Sequence, residues 1–253
     1  MTDSRPWLRR FHPAAPGAPR LVLFPHAGGS ASCFHAASAA LAPAVDVLAV
    51  QYPGRQDRHA EPLVDDLLVL ADRLTGVLAA EVAGPVVFFG HSMGASLAFE
   101  VARRLGPRVR GLVVSARRAP SAPRASRIHE GGDDELLADV RRLGGTDTRV
   151  LEHPQLVRMV LPVLRNDYRA AETYRYRAGP DVSCPVVALV GDRDPKVSEA
   201  EARRWAAHTS GEFELKSFPG GHFYVNDHRA AVAALLGERL TRWAGEPFAS
   251  GQQ

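Results

Sequence analysis

Six short apolar runs recur along the chain, mostly bounded by glycine or proline: Arg20–Pro25, Val45–Gln51, Pro85–Gly90, Gly111–Ala116, Pro185–Gly191 and Glu212–Phe218. Most are rich in Val and Leu and lack clean alternation, the mark of strands covered on both faces of a parallel sheet. Between them apolar residues return at helical spacing. Leu67, Leu70, Leu74, Val77 and Leu78 do so within 65–82, and Leu97, Val101 and Leu105 within 94–105. Residues 198–208 and 228–243 are further helix candidates. Strand alternating with helix predicts an α/β fold with a mostly parallel, doubly wound sheet.

The alternation stops between 117 and 180. Here "DDELLADVRRLGG" and "HPQLVRMVLPVLRNDYRAAETYRY" both read as amphipathic helices. Pro162 lies inside the second and is expected to kink or split it. The chain thus divides into an α/β core, 1–116 with 181–253, and a helical insertion, 117–180. The insertion is expected to cap the strand ends, where α/β sites form, rather than merely pad the sheet. The C-terminal "GEPFASGQQ" reads as a frayed tail.

Composition narrows the function classes. The 253 residues suit one α/β domain with an insertion. A formal net charge of +3 is too mild to argue for nucleic acid, though it is compatible with an acidic protein partner. Two distant cysteines, Cys33 and Cys184, imply no disulfide framework. The N-terminus lacks a secretory apolar segment and no run is long enough to span a membrane, so a cytoplasmic protein is expected. No metal-ligand spacing or dinucleotide fingerprint occurs.

The chemistry is concentrated at Gly90-His91-Ser92-Met93-Gly94, a G-x-S-x-G pattern between an apolar strand and an amphipathic helix. A nucleophile on so sharp a turn sits in a strained backbone, and the flanking glycines avoid collisions there. A serine hydroxyl needs a base, and the base an orienting acid. In this chain order the acid comes next: Asp194 on the loop after the fifth run, with Asp192 as its rival. His222, after two glycines beyond the sixth run, is the candidate base, with His228 as its rival. The backbone N–H groups of Met93, and of Ala27 in the glycine-rich loop after the first run, are the candidate oxyanion donors. A phosphate cradle in that loop is disfavoured because no lysine follows it.

Together "LFPHAGGSASCF", "YPGRQDR", "FFGHSMGASLAFEVARRL", "LRNDYRAAETYRY", "LVGDRDPKVS" and "FPGGHFYVND" resemble an α/β-hydrolase, and more narrowly the type II editing thioesterases of polyketide and nonribosomal peptide synthesis. The resemblance implies an α/β-hydrolase fold with a helical lid. It also implies hydrolysis of acyl thioesters from the phosphopantetheine arm of an acyl or peptidyl carrier protein. Ser92 would be the nucleophile, His222 the base, Asp194 its orienting acid, and no dissociable cofactor or metal would be needed. Arg117, Arg118, Arg124 and Arg127, near the start of the insertion, or neighbouring arginines, are then expected to help dock an acidic carrier. The triad alone does not separate this activity from a carboxylesterase on small free esters or a medium-chain thioesterase, whereas intact Ser92, Asp194 and His222 argue against a non-catalytic binding protein.

Overall fold

All six runs become strands of one seven-stranded sheet. The computed structural model describes residues 7–122, 125–145 and 152–244. Its strands are β1 (Leu8–Arg9), β2 (Arg20–Phe24), β3 (Asp46–Val50), β4 (Val86–His91), β5 (Val109–Ser115), β6 (Val186–Gly191) and β7 (Phe213–Phe218). Its α-helices are α1 (His35–Leu41), α2 (Leu67–Glu81), α3 (Met93–Leu105), α4 (Asp133–Leu143), α5 (Pro154–Thr173), α6 (Glu199–Arg203), α7 (Tyr224–Asp227) and α8 (Arg229–Ala244). The strand order is β1-β3-β2-β4-β5-β6-β7. Only β1 runs antiparallel, against β3.

Side chains alternate between the two faces of this sheet. Val22, Phe24, Phe88, Leu112, Val114 and Ala188 pack with α2 and α3. Leu21, Leu23, Phe89, Val113, Val187 and Leu189 pack with α8. Because both faces are covered, β4 and β6 are buried at every position, which is why their sequences show no alternation. The start of α2 is set by Asp66, whose side chain accepts hydrogen bonds from the Leu68 and Val69 N–H groups.

Three features depart from the periodicity. β1 has only two residues and no apolar run; it is recruited by the edge of β3. The alanine-rich α1 buries only Ser38 and Leu41, too little to leave a periodic stripe. The 198–208 candidate is α6 followed by a 3-10 turn, Arg204–His208, where the buried Trp205 donates its indole N–H to Arg117 O at 2.8 Å.

Between β5 and β6 the described residues hold a 3-10 turn (Ile128–Glu130), α4 and α5, and no strand. Contrary to a split at Pro162, α5 continues through it from Pro154 to Thr173. Pro162 faces solvent, where water can satisfy the carbonyl its missing N–H leaves free. Leu136, Leu137 and Val140 of α4 form a small core with Leu164 and Tyr168 of α5, and Ala27, from the loop after β2, packs against it. The insertion therefore sits over the carboxyl edge of the sheet. Residues 245–253, expected to be a frayed tail, and Arg124 lie outside the described residues. Both cysteines are free, Cys33 exposed and Cys184 buried.

Candidate active site

Four loops leaving the carboxyl ends of β2, β4, β6 and β7 supply the candidate residues. Ser92 follows β4 directly and has φ 55° and ψ −117°, a conformation that costs a non-glycine residue energy. The turn is held by Ser92 N donating to Ser115 O at 2.8 Å and Ala95 N donating to Ser92 O at 3.0 Å. A Cβ on Gly90 would fall on the Gly94 backbone, and one on Gly94 would fall on Phe24 O. Both positions therefore require glycine, and the serine is pushed clear of the sheet at the N-terminus of α3.

Three side chains, distant in sequence, meet there. His222 Nε2 lies 2.9 Å from Ser92 Oγ, and His222 Nδ1 lies 2.8 and 3.0 Å from the two Asp194 oxygens. The side chains of His222 and Asp194 are 4% and 0% exposed. Asp194 Oδ1 also accepts from Lys196 N at 2.8 Å, which fixes the carboxylate. Each rival has another place. Asp192, half exposed, accepts from Gly220 N at 2.8 Å and so braces the loop carrying His222. His228 donates to Pro219 O at 2.8 Å, bracing the same loop from below.

Ser92, Met93, Ala27 and His222 open into a cavity of about 330 Å³ roofed by Val140, Leu164 and Tyr168 of the insertion. Its size is at the low end for small-molecule sites.

Comparisons with known proteins give the family of the chain. A family model described as a thioesterase domain matches residues 19–240. The chain belongs to the thioesterase family. It is 50% identical over 254 residues to a thioesterase, PikA5, of Streptomyces venezuelae, covering 98% of this chain and 90% of that protein. Among solved structures it is similar to the type II thioesterase BorB from the borrelidin biosynthetic cluster, with 52% identity and a TM-score of 0.87 over 95% of this chain and 99% of that one. It is also similar to RedJ, the thioesterase of the prodiginine biosynthetic pathway in Streptomyces coelicolor. There the identity is 37% and the TM-score 0.84, over 90% of this chain and 93% of the other. With these relatives it is a type II thioesterase with the α/β-hydrolase fold.

Two further histidines of the thioesterase back the site. His91 is buried; its Nδ1 is 2.9 Å from Ser115 Oγ, which is 2.7 Å from the Tyr224 hydroxyl. His26 packs edge-on against Phe223, with centroids 4.8 Å apart. Burial, reinforced by the nearby His222, pushes His26 down to about 4 and His91 well below the ordinary histidine value. Both are neutral in the folded protein, whereas in the unfolded chain they take up protons near pH 6.5. The stability they confer is complete above pH 6.5 and is lost as the pH falls toward their folded values, by at most about 1.4 kcal/mol per pH unit for each. Urea unfolding at pH 7 and pH 5 is expected to show a drop of about 2–4 kcal/mol on that slope. His91→Gln should flatten the dependence; an unchanged slope contradicts the assignment.

The arginines expected to help docking differ in their settings. Arg117 turns inward, donating to Ser96 Oγ at 2.7 Å and Ala171 O at 3.2 Å, and lines the cavity. Burial lowers it to about 10, which leaves it charged at neutral pH. Arg118 donates to Lys196 O at 3.2 Å and also lines the cavity. Arg127 is solvent-facing, 81% exposed, and 3.5 Å from Glu130. Among the described residues no group of three or more His, Cys, Asp or Glu side chains forms a possible metal site, and no helix is long and apolar enough to cross a membrane.

The fold brings to this edge two other groups whose pairing has no signal in the sequence. These are the Ser115–Tyr224 support behind His91 and a buried pair, Arg55 with Asp167. The motifs that contain Arg55 and Asp167, "YPGR" and "RND", were visible, but nothing in their spacing indicated that they meet.

Proposed function

We propose that this thioesterase hydrolyses acyl thioesters presented on the phosphopantetheine arm of an acyl or peptidyl carrier protein, clearing stalled acyl groups from a modular synthase. The observation that carries the reading is the hydrogen-bonded row Ser92–His222–Asp194 opening into a short cavity under the helical insertion. Ser92 Oγ attacks the thioester carbonyl while His222 Nε2 takes its proton. Asp194 holds the imidazole in the tautomer that accepts on Nε2 and stabilises the imidazolium. The Ala27 and Met93 N–H groups receive the oxyanion of the tetrahedral intermediate. Collapse breaks the C–S bond, and His222 returns its proton to the departing thiolate. Water, deprotonated by His222, then attacks the acyl-serine; a second tetrahedral intermediate releases the carboxylic acid and restores Ser92. The arm belongs to the substrate, so the cycle needs no dissociable cofactor.

A panel of acyl-carrier proteins from acetyl to decanoyl, with Ser92→Ala as the blank and a small aryl ester alongside, tests the reading. Short chains such as acetyl and propionyl are expected to be released with kcat/KM at least about tenfold above the aryl ester, a margin of roughly 1.4 kcal/mol in transition-state binding. Faster cleavage of the free ester than of every carrier thioester overturns the carrier reading. Strict preference for decanoyl overturns the short-chain clearing role.

A further inference from the structure

The segments Tyr52–Arg58 and Leu164–Tyr176 take no part in the relay, yet they meet in one buried ion pair behind it. Arg55 Nη1 is 2.6 Å from Asp167 Oδ2, and Arg55 Nη2 is 3.0 Å from Asp167 Oδ1. The two side chains are 8% and 3% exposed. Asp167 lies on α5, in the insertion, and Arg55 on the loop after β3.

Each member of the pair also holds the loop after β2. Asp167 Oδ2 accepts from Gly28 N at 2.7 Å, and Arg55 Nη1 donates to Gly29 O at 3.1 Å. The same loop is tied at Pro25 O by the Tyr52 hydroxyl at 3.0 Å and at Ala31 N by Gln51 Oε1 at 2.8 Å. Gln51 in turn donates through Nε2 to Arg55 O at 3.0 Å. Ties thus flank Ala27 on both sides, and its own N–H has no protein partner among the described residues.

We infer that Arg55 and Asp167 are positioning residues for the oxyanion hole. They clamp the peptides at 28 and 29 so that Ala27 N–H aims at the developing oxyanion. Because Asp167 rides on α5, this donor is aligned only while α5 is seated on the loop. The insertion is therefore part of the catalytic alignment and not only a roof. The inference rests on the reading that Ala27 N–H serves the Ser92 reaction.

Two physical arguments favour alignment over simple stapling. A buried ion pair can often be replaced by apolar side chains of similar volume without loss of stability, so stability alone does not call for this one. Oxyanion stabilisation, by contrast, is acutely sensitive to donor placement: losing one donor costs about 10²–10³ in kcat, and a shift of about 1 Å costs on the order of 10².

The test is the apolar double variant Arg55→Met/Asp167→Val, close to the native pair in summed volume, which removes both clamps without stranding a buried charge. Its melting temperature is expected to stay within a few degrees of wild type. Its kcat on a propionyl-carrier thioester and on an aryl ester is expected to fall about 30- to 100-fold, with KM little changed and the pH profile unmoved. An acyl-pantetheine trifluoromethyl ketone, which forms the tetrahedral adduct on Ser92, should bind more weakly in the same ratio as kcat/KM. The matching thioether, which cannot form the adduct, should bind as before.

A stable double variant with unchanged kcat overturns the inference, as does a loss confined to KM or equal weakening of ketone and thioether. If the double variant does not fold, Arg55→Lys serves instead. It keeps the charge but not the fork, and should lose about tenfold in kcat with near-native melting; undiminished kcat there is equally fatal. Both substrates pass through the same oxyanion. A wild-type enzyme inactive on the carrier thioester but active on the ester therefore removes the carrier reading, while the ester still decides the clamp.

Discussion

Ser92→Ala is expected to lower kcat on an acyl-carrier thioester by about 10⁵- to 10⁶-fold, and His222→Ala by a similar factor. Without Oγ, 2.9 Å from His222 Nε2, there is no nucleophile to deprotonate; without the imidazole, the hydroxyl keeps its proton. The two groups act as one unit, so the double variant should be no slower than either single one. What remains over water would come from the oxyanion donors and from substrate binding. Single-turnover release of the carrier thiol measures this directly. Residual activity within a hundredfold of wild type in Ser92→Ala would mean that the reaction runs through another group. Ser92→Ala should melt close to wild type, whereas His222→Ala removes a buried ring and leaves the buried Asp194 carboxylate without its imidazole partner, so its melting temperature should fall.

The second large effect separates two neighbouring aspartates. Asp194→Asn is expected to cost about 10⁴ in kcat, because an amide nitrogen facing His222 Nδ1 favours the wrong imidazole tautomer. Asp194 is the group with both oxygens at 2.8 and 3.0 Å from that nitrogen. Asp192→Asn should change kcat by no more than about threefold, since an amide oxygen can still accept from Gly220 N. Comparable losses in the two variants would mean that the loop, rather than the carboxylate at 194, governs the rate.

Much of the candidate site was legible from residue types and order. The G-x-S-x-G pattern between an unbroken apolar run and a helical stripe can be satisfied by few backbones, and Ser92, with its positive φ, adopts the strained one. Asp194 and His222 were legible because each follows an apolar run at the distance of a short loop, and all such loops gather at one edge of a parallel sheet. What stayed open was local: which of Asp192 and Asp194, or of His222 and His228, faces the serine. Spacing cannot decide that, because a loop a few residues long can present either one.

By itself the sequence determined the periodicities. Doubly buried strands, amphipathic helices and the glycines around Ser92 are written in neighbouring residues, since they obey local sterics and burial. Tertiary structure alone decided what joins residues far apart. It brought Arg55 to Asp167 across 112 positions and put both against the loop of Gly28 and Gly29. It also turned Arg117 inward while leaving Arg127 in solvent. Such pairings depend on how α5 comes to rest over the sheet, and a charged side chain carries no periodic signal of the partner it will meet.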